Sequence, residues 1–320
     1  MQIQPKLSDI KKVHACIVPY INRTPVLTCQ SIDRMTGSEL YFKCENLQKA
    51  GAFKGRGAHN VVFSLTDEEA KKGVVTHSSG NHAGALSLAA SKRGIPAYIV
   101  MPKTAPKVKV TAVKEYAGQI TFCEPTLEAR ESTADRILKE TGAVMVHPYD
   151  DYRIIAGQAT TALELLEDVD QLDMILAPVG GGGLLSGTAL SAKAIRPSIC
   201  VIGCEPEMAD DAYRSIQAGH IIPSVNPKTI ADGLLTSLCD KTFTIIRDLV
   251  DEIVLVSEEA IINAMRITWE RMKIIIEPSA AVCLAAILSN KLNVTGKKVG
   301  IILSGGNVDL SVFFSYLEKK

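Results

Sequence analysis

Gly51-Ala52-Phe53-Lys54-Gly55-Arg56-Gly57 sets one lysine among three glycines, directly after the strand-like run Glu39-Leu40-Tyr41-Phe42-Lys43-Cys44. Glycine accepts positive φ and leaves room for a ligand close to the backbone, so this lysine reads as aimed into a site. Taken alone, a loop lysine is more often simply solvated. Three further loops rich in glycine or small polar residues change that balance: Ser78-Ser79-Gly80-Asn81-His82, Gly180-Gly181-Gly182-Gly183 and Ser304-Gly305-Gly306-Asn307. Each follows a β-branched run, and the first two open helix-length segments.

After an N-terminal helix over about 7–19, short β-branched runs at 73–76, 97–100, 119–122, 144–146, 174–177, 199–202, 253–256 and 299–303 punctuate the chain. Helix-length stretches such as 81–92, 107–116, 127–140, 184–195 and 258–272 lie between them. This βαβ rhythm predicts an α/β fold with open, twisted, mostly parallel sheets flanked by helices. No linker or repeat appears, so a second domain has to be an insertion. The expected division is a large domain of 1–72 plus 152–320 and a small inserted domain of 73–151. Ligands of such sheets sit outside the carboxyl ends of the strands, where the four loops fall.

Composition narrows the function. The chain has 320 residues, 47% of them hydrophobic, and its 35 Lys plus Arg balance 35 Asp plus Glu. That balance gives no general attraction to nucleic acid or to an acidic membrane surface. The first residues lack the pattern of a signal peptide and no apolar run is long enough to span a bilayer, so a cytoplasmic location is expected. Eight cysteines occur singly without C-x-x-C spacing, and they read as reduced core residues rather than zinc ligands.

The run 180–183 reads as a nest of amides at a helix start that holds a phosphate, and four consecutive glycines look hard to explain by packing. Its spacing fits neither nucleotide motif: Leu185 and Ser186 stand where a G-x-G-x-x-G frame needs glycine, and Thr188 takes the Walker A lysine position. A non-catalytic nucleotide-binding α/β protein is therefore a remote alternative. A phosphate cradle with a glycine-flanked lysine suggests instead a phosphorylated aldehyde bonded to Lys54, which is how pyridoxal 5'-phosphate is bound.

In this order, the four motifs, together with Thr24-Pro25-Val26-Leu27, Ile230-Ala231-Asp232-Gly233 and Glu277-Pro278-Ser279, resemble the fold type II (tryptophan synthase β-like) pyridoxal phosphate enzymes. The likeness is to the serine racemase and serine/threonine dehydratase family and covers nearly the whole chain. It implies that Lys54 bonds the cofactor, Phe53 flanks the ring, Asn81 bonds the ring hydroxyl, Gly180, Gly181, Gly182 and Gly183 hold the phosphate, and Ser304 faces the pyridine nitrogen. A neutral hydroxyl there does not keep the nitrogen protonated, which suits racemisation and elimination over transamination. Ser78, Asn81 and His82 would hold the substrate carboxylate at a helix N-terminus.

Ser79 separates racemase from dehydratase. Many dehydratases have alanine at the matching place, whereas a serine can serve the face of Cα opposite Lys54; the plainer role for Ser79 is a helix cap. Tyr149 and Thr236 point toward the dehydratases, and Arg130, otherwise a solvated helix charge, matches an arginine able to reach a second carboxylate. The expected activity is a serine racemase with accompanying elimination to pyruvate and ammonia. The alternative is a dehydratase of serine, threonine or 3-hydroxyaspartate with little racemase activity. Four carboxylates within Glu205-Pro206-Glu207-Met208-Ala209-Asp210-Asp211 suit a hard cation. The resemblance assigns Glu205, the Ala209 carbonyl and Asp211 to Mg2+, or Ca2+ or Mn2+, and implies ATP as an activator and a homodimer.

Overall fold

The computed structural model describes residues 3–78, 80–105 and 107–318. Among the described residues, ten strands form two sheets. Strands β1 (Val26–Leu27), β2 (Glu39–Cys44), β3 (Val74–His77), β4 (Ala97–Pro102) and β5 (Gln119–Cys123) are followed by β6 (Val144–Met145), β7 (Met174–Pro178), β8 (Cys200–Pro206), β9 (Glu252–Val256) and β10 (Lys298–Leu303). The six-stranded sheet runs β1-β2-β10-β7-β8-β9 and is parallel except for β1; the four-stranded sheet runs β5-β4-β3-β6, parallel throughout. Because β10 lies between β2 and β7, the chain leaves this region in both directions. The crevice at the carboxyl ends of these three strands is where such a sheet binds ligands.

Burial explains the strand composition. Strand β7 is buried along its whole length, as expected for a parallel strand covered on both faces. The apolar helix Pro278–Leu288 packs on the six-stranded sheet with Leu40, Phe42, Leu176, Ile202, Val254 and Ile301 in one core. A second core lies under the helix Gly183–Ile195, and a third joins the helices Lys54–Ser64 and Asn81–Arg93 to the four-stranded sheet. The helix Tyr152–Asp168 crosses Lys54–Ser64 so closely that a Cβ built at Gly157 would lie 2.4 Å from the Gly57 Cα. The third glycine of the opening heptapeptide thus serves helix packing and not a ligand.

Beside that crossing lies a buried charge cluster. Arg56 donates Nε and Nη2 to Glu45 and Nη1 and Nη2 to Glu164, all at 2.8 Å, while Lys43 Nζ lies 2.8 Å from Glu164 and donates to the Thr24 carbonyl. Arg56, Lys43, Glu45 and Glu164 are all buried. The cluster ties β2, the lysine-bearing helix and Tyr152–Asp168 into one block.

The cysteines are all free thiols, but only Cys44, Cys123, Cys204 and Cys283 are buried. Cys16 is exposed, against expectation, because the helix Leu7–Ile17 turns Ile10 and Ile17 inward and leaves Cys16 on its outer face. Among the described residues no helix is long and apolar enough to cross a membrane.

Candidate active site

Main-chain bonds join the lysine loop to the loop after β10. Phe53 N donates to the Ser304 carbonyl at 3.0 Å, Gly306 N to the Gly51 carbonyl at 2.9 Å, and Ala52 pairs with Gly305 in an antiparallel bridge. Lys54 opens the helix Lys54–Ser64, which fixes the direction of its side chain. Its Nζ donates to the Pro148 carbonyl at 2.8 Å and stands 5.0 Å from the Phe53 ring centroid. Lys54 keeps some solvent access yet is densely surrounded; this burial lowers it to about 8, and the neighbouring Glu277 carboxylate only partly offsets the effect. A lysine with that value carries an appreciable neutral fraction near neutral pH, as a nucleophile or proton acceptor needs.

Opposite the lysine, the helix Asn81–Arg93 follows β3 and brings Asn81 against the loop after β10. Asn81 Nδ2 donates to Glu277 Oε1 at 2.7 Å, and Asn307 Nδ2 donates to Asn81 Oδ1 at 3.0 Å. His82 is buried and its Nε2 donates to the Val146 carbonyl at 3.1 Å, while Nδ1 has no hydrogen-bond partner among the described residues. Burial pushes His82 down to about 3, so the imidazole is neutral and carries no charge toward a substrate. Ser78 is partly buried and its Oγ accepts from Gly80 N at 3.3 Å. Ser79 lies outside the described residues. Ser304 is buried at the end of β10, with Gly305 beside it in contact range of Glu277.

The glycine run lies where expected, between β7 and the helix Gly183–Ile195, but packing accounts for more of it than its sequence suggests. A Cβ at Gly180 would lie 2.8 Å from the Leu234 Cα, at Gly181 2.4 Å from Tyr149 Cδ1, and at Gly182 2.8 Å from Leu238 Cδ2. Gly182 also has φ +84°, a conformation that favours glycine. Neighbours from 149, 234 and 238, remote in sequence, therefore demand glycine here whether or not a ligand is present. The first-turn amides of the helix remain free of intrahelical partners and turn a positive helix end to the crevice.

Tyr149 lies over this run. Burial raises its phenol to about 12, and the nearby Thr236 side chain only partly offsets this, so it acts as a neutral donor or acceptor. His147 Nδ1 accepts from Asp150 N at 2.8 Å, and its ring meets those of His77 and Tyr149 edge-on at 5.9 and 4.6 Å. Arg130 is on the helix Leu127–Thr141, with Nε 3.4 Å from the Thr126 carbonyl; its charge acts on His77, where burial and then Arg130 lower the imidazole. The structure thus gathers Lys54, Phe53, Ser78, Asn81, His82, Tyr149, Thr236, the glycine run and Ser304 at or near one crevice. Arg130 stands at its margin, next to His77.

Glu205 and Asp211 form a separate centre at the end of β8. Glu205 accepts from the amides of Ala212 and Tyr213, each at 2.9 Å, at the start of the helix Asp211–Ala218. Both Asp211 oxygens are buried without a hydrogen-bond partner among the described residues; the Ser224 hydroxyl approaches without meeting hydrogen-bond geometry. Burial raises Glu205 to about 9 and Asp211 to about 6. Two buried carboxyls, one with orphaned oxygens, beside the buried Ala209 fit a hard cation with water completing its shell. Among the described residues no group of three His, Cys, Asp or Glu side chains is placed to hold a metal, so a cation here would need the Ala209 carbonyl and water.

Residues that motif reading left without a role also line the crevice: Glu277, Asn307 and the Pro148 carbonyl. Glu277 stood inside a quoted motif, but nothing local marks its carboxylate as facing Asn81, 196 positions away.

Known proteins resemble this chain over nearly its whole length. Residues 17–305 match the family model described as pyridoxal-phosphate dependent enzyme. The chain is 55% identical to a serine racemase of Arabidopsis thaliana, over 98% of this chain and 96% of that protein. It is 52% identical to a beta-hydroxyaspartate dehydratase of Paracoccus denitrificans, over 96% and 97% of the two chains. The solved structure of maize serine racemase superposes with a TM-score of 0.95 at 49% identity, covering 99% of this chain and 98% of that one. By sequence and by fold, the chain belongs to the pyridoxal-phosphate dependent enzymes of fold type II, in the family of the serine racemases and serine/threonine dehydratases.

Proposed function

We propose that the protein interconverts L- and D-serine and also eliminates the β-hydroxyl of serine, giving water and an enamine that hydrolyses to pyruvate and ammonia. The observation that carries this reading is Lys54: a crowded amine lowered to about 8, between the Phe53 ring and the Pro148 carbonyl, facing the loops after β3, β7 and β10. Pyridoxal 5'-phosphate, when bound, supplies an electron sink that acidifies the substrate Cα–H.

The chain's own residues then divide the work. Gly180, Gly181, Gly182 and Gly183, with the helix they open, hold the phosphate; Phe53 flanks the ring, Asn81 faces its hydroxyl, and Ser304 meets the pyridine nitrogen as a neutral partner. The start of the helix Asn81–Arg93, with Ser78 and His82, orients the substrate carboxylate. Lys54 takes or returns the Cα proton on one face, and Ser79 does so on the other. Tyr149, Thr236 and Arg130 border the substrate side chain. We further read 73–151 as a small domain inserted in a large one, a divalent cation at Glu205, Ala209 and Asp211, a cytoplasmic homodimer, and ATP as an activator.

The test is a chiral assay of the purified, cofactor-loaded protein with L-serine. Both D-serine and pyruvate should form; pyruvate without D-serine would remove the racemase reading. Ser79→Ala should abolish D-serine formation while leaving elimination from L-serine. A second reading, a dehydratase preferring 3-hydroxyaspartate, is supported by Tyr149 packed over Gly181 and by the similarity to beta-hydroxyaspartate dehydratase. Turnover of serine, threonine and 3-hydroxyaspartate in one assay decides between them.

A further inference from the structure

Glu277 is a buried carboxyl at the crevice to which the proposed chemistry assigns no task. It precedes the helix Pro278–Leu288 and its amide donates to the Gly305 carbonyl at 3.0 Å, so the loop after β10 holds its backbone in place. Oε1 accepts from Asn81, the Asn307 amide approaches the carboxyl without meeting hydrogen-bond geometry, and Oε2 is buried without a hydrogen-bond partner among the described residues. Burial raises Glu277 to about 7; Lys109 opposes this and Asp232 adds to it, Lys109 being ion-paired to Asp232, and Glu277 in turn acts on Lys54.

The polar chain through Asn81 can run in only one sense. At one end the Ala50 carbonyl can only accept, so the Asn307 group 2.7 Å from it must be its NH2. The same Nδ2 reaches Asn81, which must therefore turn its oxygen toward Asn307. At the other end this leaves the Asn81 nitrogen toward Glu277, whose Oε1 accepts from it whether the carboxyl is ionised or carries a proton on Oε2. Flipping Asn81 would set NH2 against NH2 on one side and oxygen against carboxylate on the other. One Asn81 amide proton is used by Glu277, and the second is left to donate.

We propose that Glu277 is a positioning residue of the active site: acting through Asn81, it holds that amide with its remaining N–H toward the ring hydroxyl of the cofactor. The inference rests on the proposed binding of pyridoxal 5'-phosphate beside Asn81. A donor at that oxygen favours its ionised form, which carries the visible absorption band.

Two measurements test this. In the loaded protein at fixed pH, Glu277→Ala lowers the ratio of visible to near-ultraviolet absorption on the order of tenfold, while Glu277→Gln, whose amide oxygen still accepts, keeps it within about twofold. In cofactor-free protein labelled with 15N-asparagine, the Asn81 side-chain amide exchanges slowly in the parent and in Glu277→Gln, and rapidly in Glu277→Ala. If Glu277→Ala does not fold, Asn307→Asp serves instead: it sets acceptors at both ends of Asn81, and the absorption ratio falls. An unchanged ratio and unchanged exchange in these variants would overturn the inference. Asn81→Ala separates the two levels. If it lowers the ratio and Glu277→Ala does not, only the role of Glu277 fails; if it leaves the ratio unchanged, the placement of Asn81 at the ring hydroxyl fails.

Discussion

Replacing Arg56 by methionine probes the block on which Lys54 stands. The guanidinium makes four bonds of 2.8 Å to Glu45 and Glu164 and a fifth, of 3.1 Å, to Thr160. Glu164 would retain Lys43 and His14, whose Nε2 lies 3.0 Å from it, whereas among the described residues the Glu45 carboxylate would keep only the Thr24 hydroxyl, which donates to it at 2.5 Å. Removing one partner of a buried ion pair costs about 3–5 kcal/mol, because the surviving carboxylates stay desolvated. For a chain of this length that is a fall in Tm on the order of 5–10 °C. The assay is thermal unfolding of cofactor-free protein, so that ligand binding does not mask the loss. Arg56→Lys keeps the charge but cannot fork between two carboxylates, and should recover only part of the stability.

The pH dependence has a defined sign. Burial alone would raise Glu164, but His14, Arg56 and Lys43 together hold it far below its ordinary value of 4.5. The stability this contributes is present above pH 4.5 and is lost as pH falls toward the folded-state value, so parent and variant converge in acid. A Tm for Arg56→Met within about 2 °C of the parent at pH 7 would refute the reasoning, since it would mean that desolvation of the cluster cancels its pairing.

Other expectations concern the crevice and the carboxylate centre. Gly181→Ala drives a methyl group into the Tyr149 ring, and should cost about 1–3 kcal/mol in thermal unfolding and weaken pyridoxal phosphate binding in equilibrium titration. Only the neutral Lys54 amine attacks an aldehyde, so the rate of cofactor capture by the cofactor-free protein should rise with pH to a midpoint near 8; stopped-flow absorbance reads it, and a pH-independent rate would contradict the placement. Glu205 and Asp211 are raised to about 9 and about 6, so the metal-free protein should lose stability as pH rises from about 4 to 9. A divalent cation at one fixed concentration, a hundredfold above its Kd at pH 8, should restore about 2.7 kcal/mol there, read as an increase in Tm that is smaller at pH 5 and absent in Asp211→Asn.

The amino-acid sequence alone determined the strand and helix rhythm, because period and β-branching are local properties, and it determined the family, because the glycine-rich loops occur in a specific order. It also located the loops at strand ends, which the parallel sheets place around one crevice. What it left open were the meetings of side chains far apart along the chain. Glycines 180–182 read as a ligand cradle, yet Tyr149, Leu234 and Leu238 already require them, and no local pattern reports which remote side chain will press on a loop. Arg56 looked like one residue of the lysine motif until folding set it between Glu45 and Glu164, the latter 108 positions away. Glu277 lacked a role until β10 and the helix Asn81–Arg93 brought it to Asn81. Charge, burial and proton affinity at these sites belong to the packed arrangement, since desolvation and pairing act through space and appear only when the two sheets close around the crevice.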